Sequence, residues 1–262
     1  MKIVALNSRW LAALMVAALC GAGPTLHAQA SPSSTPPTAE QLAARRQQKA
    51  DSMLHNDWAN FERYRDANAA LPAPAAGEAR VVFMGNSITD GWAHFFPTQF
   101  PGKPYVGRGI GGQTTPQMLV RFRADVVALH PRVVVILAGT NDIAGNTGPS
   151  TLEMIEDNLT SMSEIAMANG IRVVLSSILP VYDYPWKPGL VPAPKIIAVN
   201  AWMKAYAARV GATYLDYHSV MADERQGLPR SLSMDGVHPT EAGYKVMAPL
   251  ADAAIADALR RP

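Results

Sequence analysis

One short segment constrains the fold of this chain more than any other. Residues 132–139, RVVVILAG, are apolar on both faces of a strand, a pattern typical of a central strand in a parallel sheet. Weaker strand patterns occupy residues 80–85, 104–110, 171–179 and 212–221. Helical patterns alternate with them, over residues 115–130, 150–170, 195–211 and 241–261. The alternation predicts a parallel sheet with helices on both faces, in one main domain over residues 80–262.

The first thirty residues have the composition of a secretory signal. Lys2 and Arg9 give a basic start, and residues 11–19 form an apolar run of the length of a signal core, too short to cross a bilayer. Residues 28–30, Ala-Gln-Ala, fit a cleavage site, so the mature chain is predicted to start near Ser31, with no stable membrane insertion afterwards. A short membrane anchor is an alternative. A lipid anchor on Cys20 is another, which Leu19 disfavours.

Removal of this signal changes what charge and cysteine content imply. The full chain has 23 basic and 21 acidic residues. Lys2 and Arg9 leave with the signal and no acidic residue does, so the mature chain is balanced, which gives no reason to expect a nucleic-acid or anionic-membrane partner. Cys20, the only cysteine, also leaves, which excludes a disulfide and a thiol nucleophile. We therefore expect a secreted or periplasmic protein with an ordinary apolar core.

Residues 31–79 are predicted to be a linker followed by a helical extension. Residues 31–38 are rich in Ser, Thr and Pro, and residues 71–79 form a second linker. Between them, apolar side chains fall on one helical stripe, at Leu42, Met53, Trp58, Phe61, Tyr64 and Leu71. The stripe predicts one or two amphipathic helices packed against the main domain.

Four polar, glycine-rich segments follow the predicted strands. They are GNSITDGW (85–92), GIGGQTT (109–115), GTND (139–142) and DGVHP (235–239). The carboxyl ends of parallel strands meet at one edge of the sheet, where loops carry the working residues of such folds. We therefore expect these four segments to form one functional site.

Ser87 and His238 are the residues in these segments best suited to nucleophilic catalysis. A serine hydroxyl is a weak nucleophile until an imidazole accepts its proton. Of the five histidines that follow the signal, only His238 lies in a loop with a carboxylate three residues earlier, at Asp235; His218 is a weaker competitor. Alternatively, Ser87 caps a helix and residues 235–239 are a surface turn.

Gly112 and Asn141 are candidates for stabilising an oxyanion. Acyl transfer places negative charge on the carbonyl oxygen, which preorganised N–H donors stabilise. Gly112 allows a backbone N–H to approach closely, Asn141 can donate from its side chain, and the Ser87 N–H would be a third donor. Alternatively, Gly112 is an ordinary turn glycine and Asn141 caps a loop.

In order and spacing, the four segments resemble the conserved blocks of the SGNH hydrolase superfamily, the GDSL-type esterases and lipases. The resemblance covers residues 80 to about 250, with Asn86 where the family most often has Asp. It implies a flavodoxin-like three-layer α/β/α sandwich with a five-stranded parallel sheet. It also implies Ser87, Asp235 and His238 as a catalytic triad, and Gly112 and Asn141, with the Ser87 amide, as the oxyanion hole.

Two other motifs do not predict a binding site. Residues 107–112 formally match GxGxxG, but a dinucleotide site needs an acid after the following strand, and the nearest, Asp125, lies in a helical pattern. Asp235 and His238 alone do not make a metal site. No metal and no cofactor are therefore expected.

The substrate is less well defined by the sequence. In the predicted loop 180–194, Tyr184 and Trp186 are interleaved with charged residues, and Trp92 follows the nucleophile by five positions. Such aromatic residues suit a sugar face, so we expect hydrolysis of short-acyl, mainly acetyl, esters of a small molecule or carbohydrate, with these three residues in contact with substrate. The alternatives are a lysophospholipase or thioesterase, a carbohydrate-binding relic without catalysis, and aromatics that only pack the loop.

Overall fold

The computed structural model describes residues 38–261, apart from the side chains of residues 49, 50, 53 and 54. The proposed signal and most of the first linker lie outside the described residues. Five parallel strands form one sheet in the order β2-β1-β3-β4-β5. They are β1 (Val81–Gly85), β2 (Tyr105–Gly109), β3 (Val133–Leu137), β4 (Arg172–Ser176) and β5 (Thr213–Leu215). The predicted parallel α/β fold with a five-stranded sheet is confirmed.

Ten α-helices and one 3₁₀ turn, Val127–Leu129, are present in the described part of the chain. The helices are α1 (Ala39–Asn56), α2 (Glu62–Ala70), α3 (Ser87–Ala93), α4 (Phe96–Gln99), α5 (Thr115–Asp125), α6 (Thr140–Ile143), α7 (Leu152–Ala168), α8 (Ala193–Val210), α9 (His218–Met221) and α10 (Glu241–Arg260). Within residues 38–261 no helix combines the length and apolar character that a bilayer span requires.

Alternation of side chains along the strands divides the core into two layers. In β1, Val82 and Met84 pack into a cluster with residues of α5, α7 and α8. Val81 and Phe83 point the other way, into a cluster with residues of α3, α4 and α10. Successive strand residues face opposite sides of a sheet, so these clusters are its two faces and the fold has three layers. β1 and β3 are buried at every position, as their apolar sequences require.

Contacts divide the chain into residues 1–45 and residues 46–262. In the first unit, residues 38–45 begin α1, where Thr38 and Gln41 cap each other and every side chain is exposed. In the second unit, α2 packs against α5 and buries Tyr64. The predicted apolar stripe is wrong at Leu42 in α1 and at Phe61 before α2, because both side chains are exposed.

Two glycines bring α3 against the end of the sheet. A Cβ on Gly109 would collide with the backbone N of Asp90 and lie 2.6 Å from the carbonyl oxygen of Asn86. A Cβ on Gly85 would lie 2.8 Å from the carbonyl oxygen of Leu137. Only glycine permits such close backbone approach. Of the glycines in residues 107–112, Gly107 and Gly109 thus have a packing explanation, against Ala93 and the α3 backbone.

Candidate active site

The first residue of α3 is Ser87, at the carboxyl end of β1. Asn86 is the N-cap, and its side-chain oxygen accepts a hydrogen bond from the N–H of Ile88 at 3.0 Å. The Ser87 side chain is therefore not needed as a cap, which removes the alternative role considered for it. It is half-buried, at the edge where the loops after β2 and β3 also begin.

Three side chains form a continuous hydrogen-bonded chain at this edge. Ser87 Oγ lies 2.9 Å from His238 Nε2, and His238 Nδ1 lies 2.6 Å from Asp235 Oδ2. The His238 and Asp235 side chains are each 39% exposed, so the imidazole remains accessible from solvent. With Nδ1 donating to the carboxylate, Nε2 is free to accept the proton of the serine hydroxyl. This arrangement can convert a serine into a nucleophile.

The Asp235 carboxylate is held by its own loop. Its Oδ1 accepts hydrogen bonds from the backbone N–H groups of Val237 at 2.9 Å and His238 at 2.8 Å. Burial by itself would raise the pKa of Asp235, but the hydrogen bonds from the His238 ring and from these two N–H groups outweigh it and lower the pKa to about 2. The carboxylate is therefore charged at any pH at which the imidazole can act as a base.

Ser233 is a supporting residue that sequence reasoning missed. Its hydroxyl accepts a hydrogen bond from the Gly236 N–H at 2.9 Å, and it lies 2.8 Å from the carbonyl oxygen of His238. It is almost fully buried, at 1% exposure. Its hydroxyl therefore joins both ends of the loop that carries Asp235 and His238. The sequence offers one indication of this role, a serine two residues before the aspartate.

Donors for an oxyanion come from three different loops. The Ser87 N–H lies in the first turn of α3, where helix N–H groups have no intrahelical acceptor. The Gly112 backbone is left-handed, with φ of 78°, and its N–H has no hydrogen-bond acceptor among residues 38–261. Asn141 is buried, and its Nδ2 donates to the Gln113 carbonyl at 2.9 Å, which leaves its second N–H available. A Cβ placed on Gly111 would lie 3.9 Å from Ser87 Cβ, so the β2 loop passes beside this serine.

Comparison with known proteins identifies the kind of molecule this is. The model of the GDSL-like lipase/acylhydrolase family matches residues 83–246, which include Ser87, Gly112, Asn141, Asp235 and His238. The chain belongs to this family.

Solved and curated proteins agree with the GDSL-like assignment. A structure from Bacteroides fragilis described as a candidate acylhydrolase is 48% identical, with a TM-score of 0.76 over 79% of this chain and 100% of that one. A GDSL-like lipase from Bacteroides thetaiotaomicron is 46% identical, with a TM-score of 0.74 over 77% and 100%. An acetylxylan esterase from Xylanibacter ruminicola is 26% identical over 222 residues, 71% of this chain. The chain spans about half the length of the first curated relatives it matches.

Two of the three aromatic residues expected to contact substrate do not face the site of this GDSL-like protein. Trp92 is 1% exposed, stacks on Tyr244 and donates from Nε1 to Gln99 at 2.8 Å. Tyr184 is fully buried, and its hydroxyl donates to the Thr140 carbonyl at 2.9 Å. For Trp92 and Tyr184 the expectation was wrong, because both rings are part of the core.

Trp186 is placed differently. It is 44% exposed, and its ring centroid lies 6.2 Å from that of His238. Its Nε1 donates to the side-chain oxygen of Asn146 at 3.2 Å, and the neighbouring Lys187 Nζ donates to the Ala144 carbonyl at 2.9 Å. These bonds hold the loop of Trp186 against the loop that follows β3. An exposed indole is thereby fixed at the rim of the candidate active site.

Proposed function

We propose that this protein is a serine esterase. Ser87 Oγ attacks the ester carbonyl carbon while His238 Nε2 accepts the hydroxyl proton, and Asp235 holds the imidazole in the required tautomer. The oxyanion is bound by the N–H groups of Ser87 and Gly112 and by the Asn141 side chain. His238 then gives its proton to the departing alkoxide, and water releases the acyl group from Ser87 by the same steps in reverse. The observation that carries this proposal is the chain of hydrogen bonds at 2.9 and 2.6 Å.

We further propose that the acyl group is short, mainly acetyl, and that the alcohol is a carbohydrate. The matching acetylxylan esterase supports this choice by its name. The exposed indole of Trp186 beside His238 supports it by geometry, because sugar rings pack their C–H faces on aromatic rings. The space lined by Asn86, Ile88, Thr140 and Ile178, next to Ser87 in the chain, has no room for a water-sized sphere. Its small size supports the choice of a short acyl group.

The acyl-length proposal is tested with a series of p-nitrophenyl esters. We expect kcat/KM to be highest for the acetyl ester and to fall by about 100-fold or more for the octanoyl ester, since each methylene without a site forgoes its transfer free energy and adds steric cost. Equal or rising activity on long chains would instead indicate a lysophospholipase or thioesterase. No hydrolysis of any ester in the series would favour a binding protein without catalysis.

The carbohydrate proposal is tested at Trp186. For Trp186→Ala we expect KM on acetylated xylo-oligosaccharides to rise about tenfold, because the aromatic face is lost, while kcat/KM on p-nitrophenyl acetate changes by less than about threefold. Trp186→Phe is the matched control, since it keeps a ring at the same place. An equal loss on both substrates in Trp186→Ala would show that Trp186 supports the active site and does not bind sugar.

Export is part of the proposed function, because polymeric acetyl esters lie outside the cell. The supporting features are the basic start, the short apolar run and the Ala-Gln-Ala site of residues 1–30. N-terminal sequencing of protein recovered from the periplasm or medium is expected to give a start near Ser31. A start at Met1, or a lipid on Cys20, would contradict cleavage at this site.

A further inference from the structure

Gln113 follows the proposed oxyanion glycine and is 1% exposed. Its Nε2 donates to the carbonyl of Ala59 at 2.7 Å, and its Oε1 accepts a hydrogen bond from Arg121 Nε at 2.6 Å. Its backbone carbonyl accepts the bond from Asn141 Nδ2 at 2.9 Å. One residue is therefore joined both to the Asn141 side chain and, through the peptide bond, to Gly112.

Gly112 itself has few other contacts, and its carbonyl accepts one long hydrogen bond, from Asn146 Nδ2 at 3.4 Å. A Cβ at Gly112 would meet no atom within 4 Å, and one at Gly111 would meet only Ser87 Cβ. Both glycines are exposed. Packing therefore does not fix the direction of the Gly112 N–H, and the adjacent side chain of Gln113 is a buried anchor of this loop.

Arg121 connects the same anchor to the nucleophile. Its guanidinium is fully buried and donates to the carbonyl of Gly85 at 3.0 Å, two residues before Ser87. It also donates to Asp125 Oδ2 at 2.9 Å. A buried charge of this kind is strongly destabilising unless every donor keeps its partner, so the network tolerates little displacement. The end of β1 and the Gln113 side chain are thus held to one rigid group.

The other end of the network is the chain segment that precedes the main domain. The carbonyls of Trp58 and Ala59 accept hydrogen bonds from the side-chain amides of Gln117 and Gln113, each at 2.7 Å. In α2, the Tyr64 hydroxyl donates to the Gly109 carbonyl, at the end of β2. Trp58, Ala59 and Tyr64 precede residue 83, where the match to the family model begins.

We propose that Gln113 is a positioning residue of the oxyanion hole, and that residues 57–70 are part of the same support. The inference rests on the proposed esterase function. Gln113 does not touch the substrate. It sets the direction of the Gly112 N–H and the place of the Asn141 amide relative to Ser87. It does so only while its side chain is hydrogen-bonded to the Ala59 carbonyl.

The test compares Gln113→Met with Gln117→Met. Both variants lose an amide that donates at 2.7 Å to the same segment, and both are expected to lower the melting temperature. The decrease should be larger for Gln113→Met, because it also leaves the buried Arg121 Nε without its acceptor. For Gln113→Met we expect kcat on p-nitrophenyl acetate to fall about 10- to 100-fold with KM within about threefold, because misplaced donors act on the transition state. For Gln117→Met we expect kcat to stay within about threefold of wild type.

A second variant keeps the test valid if Gln113→Met does not fold. Gln113→Glu keeps an oxygen for Arg121, but its second carboxylate oxygen cannot donate to the Ala59 carbonyl and is repelled by it. We expect this variant to show the same kcat loss at unchanged KM. Combined with Asn141→Ala, it should cost less than it does in the wild-type background, since both act on one oxyanion site. Equal kcat in the Gln113 and Gln117 variants, with active wild type, would overturn the inference and leave the esterase proposal intact. Inactive wild type would instead refute the esterase proposal.

Discussion

Ser87→Ala is expected to reduce the hydrolysis of p-nitrophenyl acetate by at least about 10⁴-fold in kcat, because no other group can form the acyl intermediate. The protein should remain folded. Among residues 38–261, the Ser87 hydroxyl is hydrogen-bonded only to His238, and the α3 cap is supplied by Asn86. Steady-state kinetics and a melting curve on the same preparation measure both effects. A change in melting temperature of a few degrees at most is expected.

Two further variants make this result specific. His238→Ala should lose nearly as much activity, and the double variant with Ser87→Ala should be little slower than either single one, since the members of a triad act as a unit. Ser219→Ala, at an exposed serine in α9, is the control and should keep wild-type activity. Wild-type turnover by Ser87→Ala would exclude the proposed mechanism.

Gly109→Ala is expected to lower the free energy of unfolding by about 3 kcal/mol or more. The added Cβ would meet backbone atoms of Asn86 and Asp90, which cannot rotate away as a side chain would. Relief requires α3 to move off the sheet, and α3 carries Ser87. Urea denaturation should therefore show a lower midpoint, and the surviving folded protein should have reduced kcat.

Gly111→Ala is the matched control for stability. It lies two residues further along the same loop, has no left-handed backbone, and its new Cβ would be in ordinary contact at 3.9 Å with Ser87 Cβ. Its free energy of unfolding should change by less than about 0.5 kcal/mol. Equal destabilisation by the two substitutions would show that the loop is sensitive to any side chain and would contradict the close-approach argument.

The sheet and the four polar segments could be predicted because their signals are local. A run such as residues 132–139 needs burial on both faces wherever it lies, and parallel strands must bring their carboxyl ends together. The pairing of Asp235 with His238 is local as well, since three residues separate them. Bringing Ser87 to His238, across 151 positions, depends on the complete topology. The family resemblance supplied that step of the prediction.

The aromatic residues were harder to place because sequence spacing does not show which side chain points inward. Trp92 follows Ser87 by five residues in α3, a rotation of about 140° on a helix, so it faces the sheet while Ser87 faces solvent. In the 180–194 loop, Tyr184 and Trp186 have similar neighbours in sequence. Tyr184 is fully buried, whereas Trp186 is 44% exposed. The Tyr184 hydroxyl is hydrogen-bonded to Thr140, a partner 44 residues away in the sequence.

Supporting residues could not be found from sequence for the same reason. The two hydrogen bonds of the Gln113 side chain are to residues 54 positions earlier and 8 positions later, and no spacing rule connects them. The polar character of α1 was a readable signal, since charged and amide residues fill most of its turns. This composition, and not the apolar stripe, agrees with the exposure of Leu42.

The loop that carries Asp235 and His238 is held together by its own hydrogen bonds. The hydrogen bonds that hold its acid and base together join residues no more than five positions apart, from Ser233 to His238. The pair therefore moves as one body when neighbouring elements shift. The distance that thermal motion can change is then the one between His238 and Ser87. A hydrogen bond from the Tyr244 hydroxyl in α10 to the Ile88 carbonyl in α3, at 2.9 Å, holds the two sides together. Loosening of α10 from α3 is therefore expected to move His238 away from Ser87.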